Sequence, residues 1–242
     1  MRIPQLGILR FLAAALVVVF HYGYDTFLAD IPVLDQVVRH GSQAVNFFFV
    51  LSGFVLAHVY IRYQGSWQAF MNKRVARILP LYWFGIATVL LLGLTLVDNQ
   101  PKGSTIILHA LGLQAWVPGQ SLSVNFPGWS ICVEFLFYAL FPALLMLYRR
   151  RGIKTFALFS IVVWGGLQLL HYNMKESGTM YFEENDQFIL YFPLFHLGTF
   201  LIGMIGGFLF NLTRPSINPN YTALAALGII LAAMQSDYYM HY

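Results

Sequence analysis

The feature that most restricts the fold of this chain is a series of long apolar segments. Seven of them are close to the roughly 17–25 residues that an α-helix needs to cross the hydrocarbon core of a bilayer. Only 10% of the residues are charged, whereas soluble globular domains contain about 25%. The sequence therefore predicts an all-α membrane protein, a polytopic bundle of transmembrane helices that forms one domain over residues 1–242. We place the spans at about 7–25, 44–62, 78–97, 129–148, 153–172, 188–210 and 219–236.

The charges between the spans predict the orientation of the bundle. Acidic side chains cluster after the first and fifth spans, and basic side chains follow the second, fourth and sixth. Segment 104–117 is too short to cross a bilayer, so we interpret 98–128 as an outer excursion that contains one interfacial or re-entrant helix. With the N-terminus in the cytoplasm, every basic cluster then lies inside, as the positive-inside rule requires. The expected location is the plasma (inner) membrane, and the net charge of +4 indicates lipid headgroups rather than nucleic acid as the partner.

Two ionisable side chains bracket the apolar part of the first span. Arg10 and His21 are eleven positions apart, so on a helix they face nearly the same direction and lie roughly 16 Å apart along its axis. Ionisable side chains inside a membrane usually face a functional cavity. The residues alone also permit another interpretation, in which Arg10 snorkels to the headgroups and His21 is a hydrogen-bonded interior histidine.

Glu134 is the only carboxylate well inside a predicted span. It lies about five residues into its helix, at a depth similar to that of His21, so the geometry permits a contact between the two. The carboxylate would then orient the imidazole and favour its protonated form, which suits a general base. The alternative is an interhelical ion pair that only fixes helix packing.

A basic stretch, Lys73–Arg77, precedes the third span. Arg74 and Arg77 are three residues apart and share a face of a helical turn. Paired guanidinium groups suit phosphate recognition through forked hydrogen bonds. The alternative is that these arginines only mark a cytoplasmic loop.

Other polar residues inside the spans are assigned structural roles. Ser52 and Gly53 are expected to allow close helix packing, because no base for a nucleophilic serine is apparent nearby. His58 and His196 are expected to be hydrogen-bonded interior histidines. No metal site is predicted, since the chain has one cysteine and no HxxxH or HExxH spacing.

Taken together, these stretches resemble the acyltransferase-3 family of integral-membrane acyltransferases. They occur in the family's order and extend over most of the chain. The matching stretches are Arg10-x10-His21, Phe47–Phe54, Lys73–Trp83, Pro127–Pro142 and, more weakly, Phe192–Gly207.

The resemblance implies an acyltransferase for groups other than aminoacyl groups. An acyl group, commonly acetyl, would pass from cytoplasmic acyl-coenzyme A to a hydroxyl of a cell-envelope glycan or lipid-linked sugar, with no permanently bound cofactor. Carried over to this sequence, His21 and Glu134 are the catalytic residues, and Arg10, Arg74 and Arg77 bind the donor. The axial distance from Arg10 to His21 is comparable to the reach of the pantetheine arm of coenzyme A.

The chain departs from this family in its length. The family usually has about ten spans, and the part that is missing here follows the last matching stretch. The chain is therefore expected to be either a fragment or a short variant, and an inactive fragment of the acyltransferase is one alternative. A proton-coupled transporter is the alternative function, because an Arg–His–Glu set can relay protons, but it leaves Lys73–Arg77 without a role. A retinal-binding receptor is disfavoured because the last span has no lysine.

Overall fold

The structure is a computed structural model that describes residues 5–23, 26, 27, 31, 35, 43–96, 100–176 and 188–213. All regular secondary structure in these residues is helical, as expected from the sequence. Three short 3₁₀ helices, Gln114–Trp116, Phe126–Gly128 and Pro193–His196, connect the longer helices. The α-helices are α1 (Gln5–Tyr22), α2 (Gln43–Tyr60), α3 (Trp67–Leu96), α4 (Gly103–Ala110), α5 (Trp129–Glu176) and α6 (Leu197–Thr213).

Four segments of the described chain are long and apolar enough to cross a membrane, and α1 contributes a shorter apolar helix. The predicted count of seven spans is not confirmed. The fourth and fifth predicted spans both fall in α5, and the seventh, 219–236, lies outside the described residues. The four segments are Gln43–Tyr60, Trp67–Gly93, Phe126–Met174 and Pro193–Thr213.

Helix α5 is interrupted at Gly152, where φ is 75° and ψ is 179°. Without this break its 48 residues would extend about 72 Å, more than twice the ~30 Å thickness of a hydrocarbon core. Glycine adopts a positive φ without the steric cost that a Cβ imposes. The break divides α5 into a first arm, residues 129–151, and a second arm, residues 153–176.

Helix α6 packs against both arms of α5. Near its C-terminus, Phe208 stacks on Tyr148 of the first arm, with ring centroids 3.6 Å apart, and also contacts Phe156 of the second arm at 5.2 Å. Near its N-terminus, Gly198 lies against the indole ring of Trp164, further along the second arm. The second arm therefore runs antiparallel to α6, and the chain reverses at Gly152.

Helices α2 and α6 approach each other until their backbones touch. A Cβ atom on Gly53 would overlap the carbonyl oxygen of Phe200, and one on Gly203 would overlap that of Val50. Gly207 contacts the backbone of α2 in the same way. The predicted packing role of Gly53 is confirmed.

Arg149 of α5 connects the first arm to the end of α2. Its Nε and Nη2 atoms donate hydrogen bonds to the carbonyl oxygen of Ile61 at 3.1 and 2.8 Å, and Nη2 lies 3.4 Å from that of Tyr60. The last carbonyl groups of a helix lack intrahelical donors. A side chain that sequence reasoning assigned to topology therefore also caps a helix.

The segment between α3 and α5 forms a compact structure beside α3. The indole Nε1 of Trp83 donates to the carbonyl oxygen of Ala110 at 2.8 Å, and the hydroxyl of Tyr82 donates to that of His109 at 2.7 Å. Helix α4 has eight residues, too few to cross a bilayer. We refer to residues 100–128 as the cap.

His109 is completely buried inside the cap. Its Nε2 lies 3.0 Å from the hydroxyl oxygen of Ser123 and 3.2 Å from the carbonyl oxygen of Gln120. Burial lowers the pKa of His109, since the charged imidazolium is poorly solvated there, and the Gln120 carbonyl opposes the shift only in part. The neutral ring is the form that the cap accommodates.

Candidate active site

A cavity of about 570 Å³ lies between α1, α2, α3 and the first arm of α5. All five residues that the sequence singles out for chemistry line it. Arg10 and His21 come from α1, Arg74 and Arg77 from α3, and Glu134 from α5. Three helices that are far apart in the sequence therefore bring these side chains to one space.

The residues of α1 reach the cavity because they recur at helical spacing. The lining positions follow one another at intervals of one to four residues, which places them on one face of the helix. On another face, Ile8 and Phe11 are 64% and 71% exposed. The predicted common face of Arg10 and His21 is confirmed by the positions Arg10, Ala14, Val17, Val18 and His21.

Arg74 is held by aromatic rings from three helices. Its guanidinium carbon lies 4.8 Å from the ring centroid of Tyr60, 5.3 Å from that of Phe70 and 5.5 Å from that of Tyr138. These are cation–π distances. Its Nε is buried and has no hydrogen-bond partner among the described residues. Arg77, in contrast, is exposed, so two arginines on one wall have different surroundings.

Glu134 takes its hydrogen bond from its own helix. The hydroxyl of Tyr138, one turn further along α5, donates to Oε1 of Glu134 at 2.5 Å. The carboxylate also interacts electrostatically with Arg74, Arg77 and Arg10. Within the part of the chain that the structure describes, however, it forms no ion pair shorter than 4 Å.

The contact between His21 and Glu134 that their similar depth permits is not formed. The imidazole of His21 lies edge-on to the ring of Phe126 in the cap, with centroids 5.0 Å apart. Tyr138 directs the Glu134 carboxylate the other way, toward the end of the cavity where Arg74 lies. Similar depth along two helices brings both groups to the same cavity, but the hydrogen bond to Tyr138 decides where the carboxylate points.

Sequence reasoning missed three polar groups that line the cavity. Tyr138 could have been found from its i, i+4 spacing to Glu134, which places both on one helix face. Ser52 was assigned only to packing, yet it lies on the cavity wall. Ser130 also lies there, and its hydroxyl donates to the carbonyl oxygen of Pro127 at 2.8 Å.

Positive side chains outnumber negative ones around the cavity. Three arginines act on one carboxylate, so the Arg74 end of the cavity is electropositive. Such a surface binds anions with several negative charges, phosphates in particular. Among the described residues there is no group of three or more His, Cys, Asp or Glu side chains that could hold a metal ion.

A family model described as an acyltransferase domain matches residues 3–242. The chain belongs to the acyltransferase-3 family. It is 37% identical over 163 residues to acyltransferase MdmB of Streptomyces mycarofaciens, a match that covers 63% of this chain and 42% of that protein. It is 32% identical over 116 residues to the exopolysaccharide production protein ExoZ of Rhizobium meliloti (strain 1021), which covers 46% of this chain and 36% of that protein.

The match therefore spans well under half the length of either relative. No solved structure matches the chain.

Four of the five stretches that carry the resemblance to the acyltransferase-3 family contribute residues to the cavity wall. Phe47–Phe54 provides four lining residues, and Pro127–Pro142 provides five. The weaker stretch, Phe192–Gly207, contributes none and instead packs behind α2 through Gly203. In this member of the family, the strongest sequence matches thus lie around the cavity.

Two further histidines lie behind the cavity wall. Nε2 of His196 donates to the carbonyl oxygen of Leu190 at 3.0 Å, and its ring packs against Trp129. This confirms the predicted interior role of His196. His58 packs on Phe210, but its buried Nδ1 has no hydrogen-bond partner among the described residues. The expected hydrogen bonding therefore does not extend to that atom.

Proposed function

We propose that this protein transfers an acyl group, acetyl in the first instance, from cytoplasmic acyl-coenzyme A to a hydroxyl group. The acceptor is a cell-envelope glycan or a lipid-linked sugar. The observation that carries the proposal is the cavity itself, which has guanidinium groups at one end and an imidazole against the cap at the other. A donor with phosphates at one end and a thioester at the other matches this distribution.

The names of the relatives support the proposed reaction and acceptor. MdmB is named an acyltransferase, and ExoZ is named for exopolysaccharide production. A glycan hydroxyl is therefore the acceptor class that we propose. The inner membrane, with the N-terminus in the cytoplasm, is the proposed location because the basic loops then face the cytoplasm.

In the proposed reaction, the arginines bind the donor and the histidine acts as base. Arg10, Arg74 and Arg77 hold the phosphates, while the pantetheine arm runs along α1 toward His21. The axial distance from Arg10 to His21 is roughly 16 Å by the helix rise, which is comparable to the reach of the arm. The thioester carbonyl would then lie beside the imidazole, where an acceptor hydroxyl can meet it.

His21 would remove the proton of the acceptor hydroxyl as its oxygen attacks the thioester carbonyl. The new C–O bond forms, the C–S bond breaks, and the thiolate of coenzyme A leaves and takes up a proton. Glu134, which lines the same cavity as His21, is the proposed partner carboxylate. No metal ion takes part in this scheme.

Replacement of His21 tests the proposal directly. His21→Ala should lower the acyl-transfer rate by about 10²–10⁴-fold, the usual contribution of a general base, and leave coenzyme A binding intact. Rates are measured in membranes with radiolabelled acetyl-coenzyme A, and binding is measured as protection from thermal unfolding in detergent. Phe11→Ala is the matched control, because Phe11 lies on α1 but does not line the cavity.

Two results would count against the proposal. A fully active His21→Ala variant would remove the histidine from the mechanism. If coenzyme A at high concentration does not protect the wild-type protein, the donor assignment is wrong, and the transporter alternative becomes the next hypothesis to test by proton flux in proteoliposomes.

A further inference from the structure

Tyr138 contacts both kinds of charged group in the cavity at once. Its hydroxyl donates to Oε1 of Glu134 at 2.5 Å, and its ring faces the guanidinium of Arg74 at 5.5 Å. The side chain is only 5% exposed, and its ring also packs edge-on against Phe70. Tyr138 is therefore fixed from two sides, and it lies between the carboxylate and one of the arginines.

The charges of the cavity make this arrangement unexpected. A glutamate on a flexible side chain that shares a cavity with three arginines would ordinarily form a forked ion pair with one of them. In the described part of the chain Glu134 forms none within 4 Å. Such a pair would occupy a guanidinium group and cancel part of the positive charge that a phosphate needs.

We propose that Tyr138 is a positioning residue that keeps Glu134 and Arg74 from pairing with each other. Its hydroxyl holds the carboxylate, and its ring holds the guanidinium. The arginines thereby stay available to the phosphates of the donor, and the carboxyl group of Glu134 keeps its position in the cavity. The donor part of this inference rests on the proposed function, whereas the hydrogen bond itself does not.

The two roles of the side chain can be separated by substitution. Tyr138→Phe removes the hydroxyl but keeps the ring under Arg74. The freed carboxylate then pairs with an arginine and competes with the donor, so coenzyme A should bind about tenfold more weakly, roughly the effect of one lost hydrogen bond to a charged group. Affinity is measured by isothermal titration of detergent-solubilised protein with coenzyme A.

A double-mutant cycle isolates the action through Glu134. In the Glu134→Gln background there is no carboxylate to compete, so adding Tyr138→Phe should leave the affinity for coenzyme A unchanged. Tyr148→Phe is the matched control on the same helix, because Tyr148 stacks on Phe208 away from the cavity. It should bind coenzyme A like the wild type.

An infrared measurement tests the hydrogen bond without any donor. The carboxyl or carboxylate band of Glu134 is assigned by its loss in Glu134→Gln, and it should shift in Tyr138→Phe but not in Tyr148→Phe. An unshifted band would overturn the inference, and so would an equal loss of coenzyme A affinity in both backgrounds. If the band shifts but the wild type does not bind coenzyme A, the hydrogen bond stands and the proposed donor fails.

Discussion

The α2–α6 contact and the α1–α3 side of the cavity are two contrasting ways of arranging helices in one chain. At the first, glycines let the two backbones touch, and 44% of the apolar stretch within Pro193–Thr213, which contains α6, is buried. At the second, arginines line an open space, and only 11% of the apolar stretch within α3 is buried. Close backbone packing leaves no room for a ligand, whereas long charged side chains keep helices apart. The closely packed side is the scaffold, and the open side is the candidate site.

Breaking the scaffold should have the largest effect. In Gly203→Ala the new Cβ overlaps the carbonyl oxygen of Val50, and neither backbone can move without separating the helices. We expect the free energy of unfolding to fall by about 3 kcal/mol, at the upper end of ordinary overpacking. The midpoint of thermal unfolding in detergent measures the loss.

Gly165→Ala is the control for this prediction, because nothing lies within 4 Å of a Cβ at Gly165. It should be neutral or slightly stabilising, since alanine favours the helix. Equal stability of Gly203→Ala and Gly165→Ala would contradict the packing that we describe between α2 and α6.

A second prediction distinguishes the two arginines on the open side. Arg74→Ala should raise the KM for acyl-coenzyme A by about 10–100-fold, because a buried charge-assisted contact contributes ~1.5–3 kcal/mol. Arg77 is exposed, and exposed ion pairs contribute only about 0–1 kcal/mol, so Arg77→Ala should change KM less. Steady-state kinetics with varied donor measure both variants, and an equal effect would mean that the aromatic cage does not distinguish them.

The smallest effect is expected in the cap and depends on pH. Because burial lowers the pKa of His109 below its unfolded value, the unfolded chain binds more protons than the folded one as pH falls. The contribution of His109 to stability is therefore complete above an ordinary histidine pKa of about 6.5 and declines below it. His109→Gln should show a weaker loss of stability between neutral and acidic pH.

Thermal unfolding over a pH series measures this difference. The other histidines are common to both proteins, so the difference between wild type and His109→Gln isolates residue 109. Parallel pH curves for the two proteins would show that His109 is not buried in its neutral form.

The sequence predicts the helical class and the grouping of the site residues for a simple reason. Apolar length and helical periodicity are local properties, and charges inside apolar segments must face a common interior. Arg10, His21 and Glu134 are ionisable residues in apolar segments. Their depth in the membrane and their helix faces therefore predict that they line one cavity.

Side-chain rotamers and the exact ends of helices depend on contacts that membrane depth and helical periodicity do not predict. The contact between His21 and Glu134 that their similar depth permits is not formed, because the hydrogen bond from Tyr138 sets the rotamer of Glu134. The start of α3 at Trp67 lies eleven residues before the predicted span, since charged residues can continue a helix beyond its apolar part. The reversal at Gly152 falls where the sequence places a boundary between two spans, but helix extends right up to that residue on both sides.

Arg149 differs from the two arginines that follow it in the contacts of its guanidinium group. The three consecutive arginines, Arg149, Arg150 and Arg151, count equally toward orientation, because that signal is a sum over charges. Only Arg149 caps the end of α2, and the capped residue Tyr60 also forms one wall of the Arg74 cage. A lysine in place of any of them would preserve the positive charge that sets orientation. At position 149, however, it would replace a planar guanidinium that donates from two nitrogens with an ammonium group that has one. Substitution should therefore be freer at the second and third arginines than at the first.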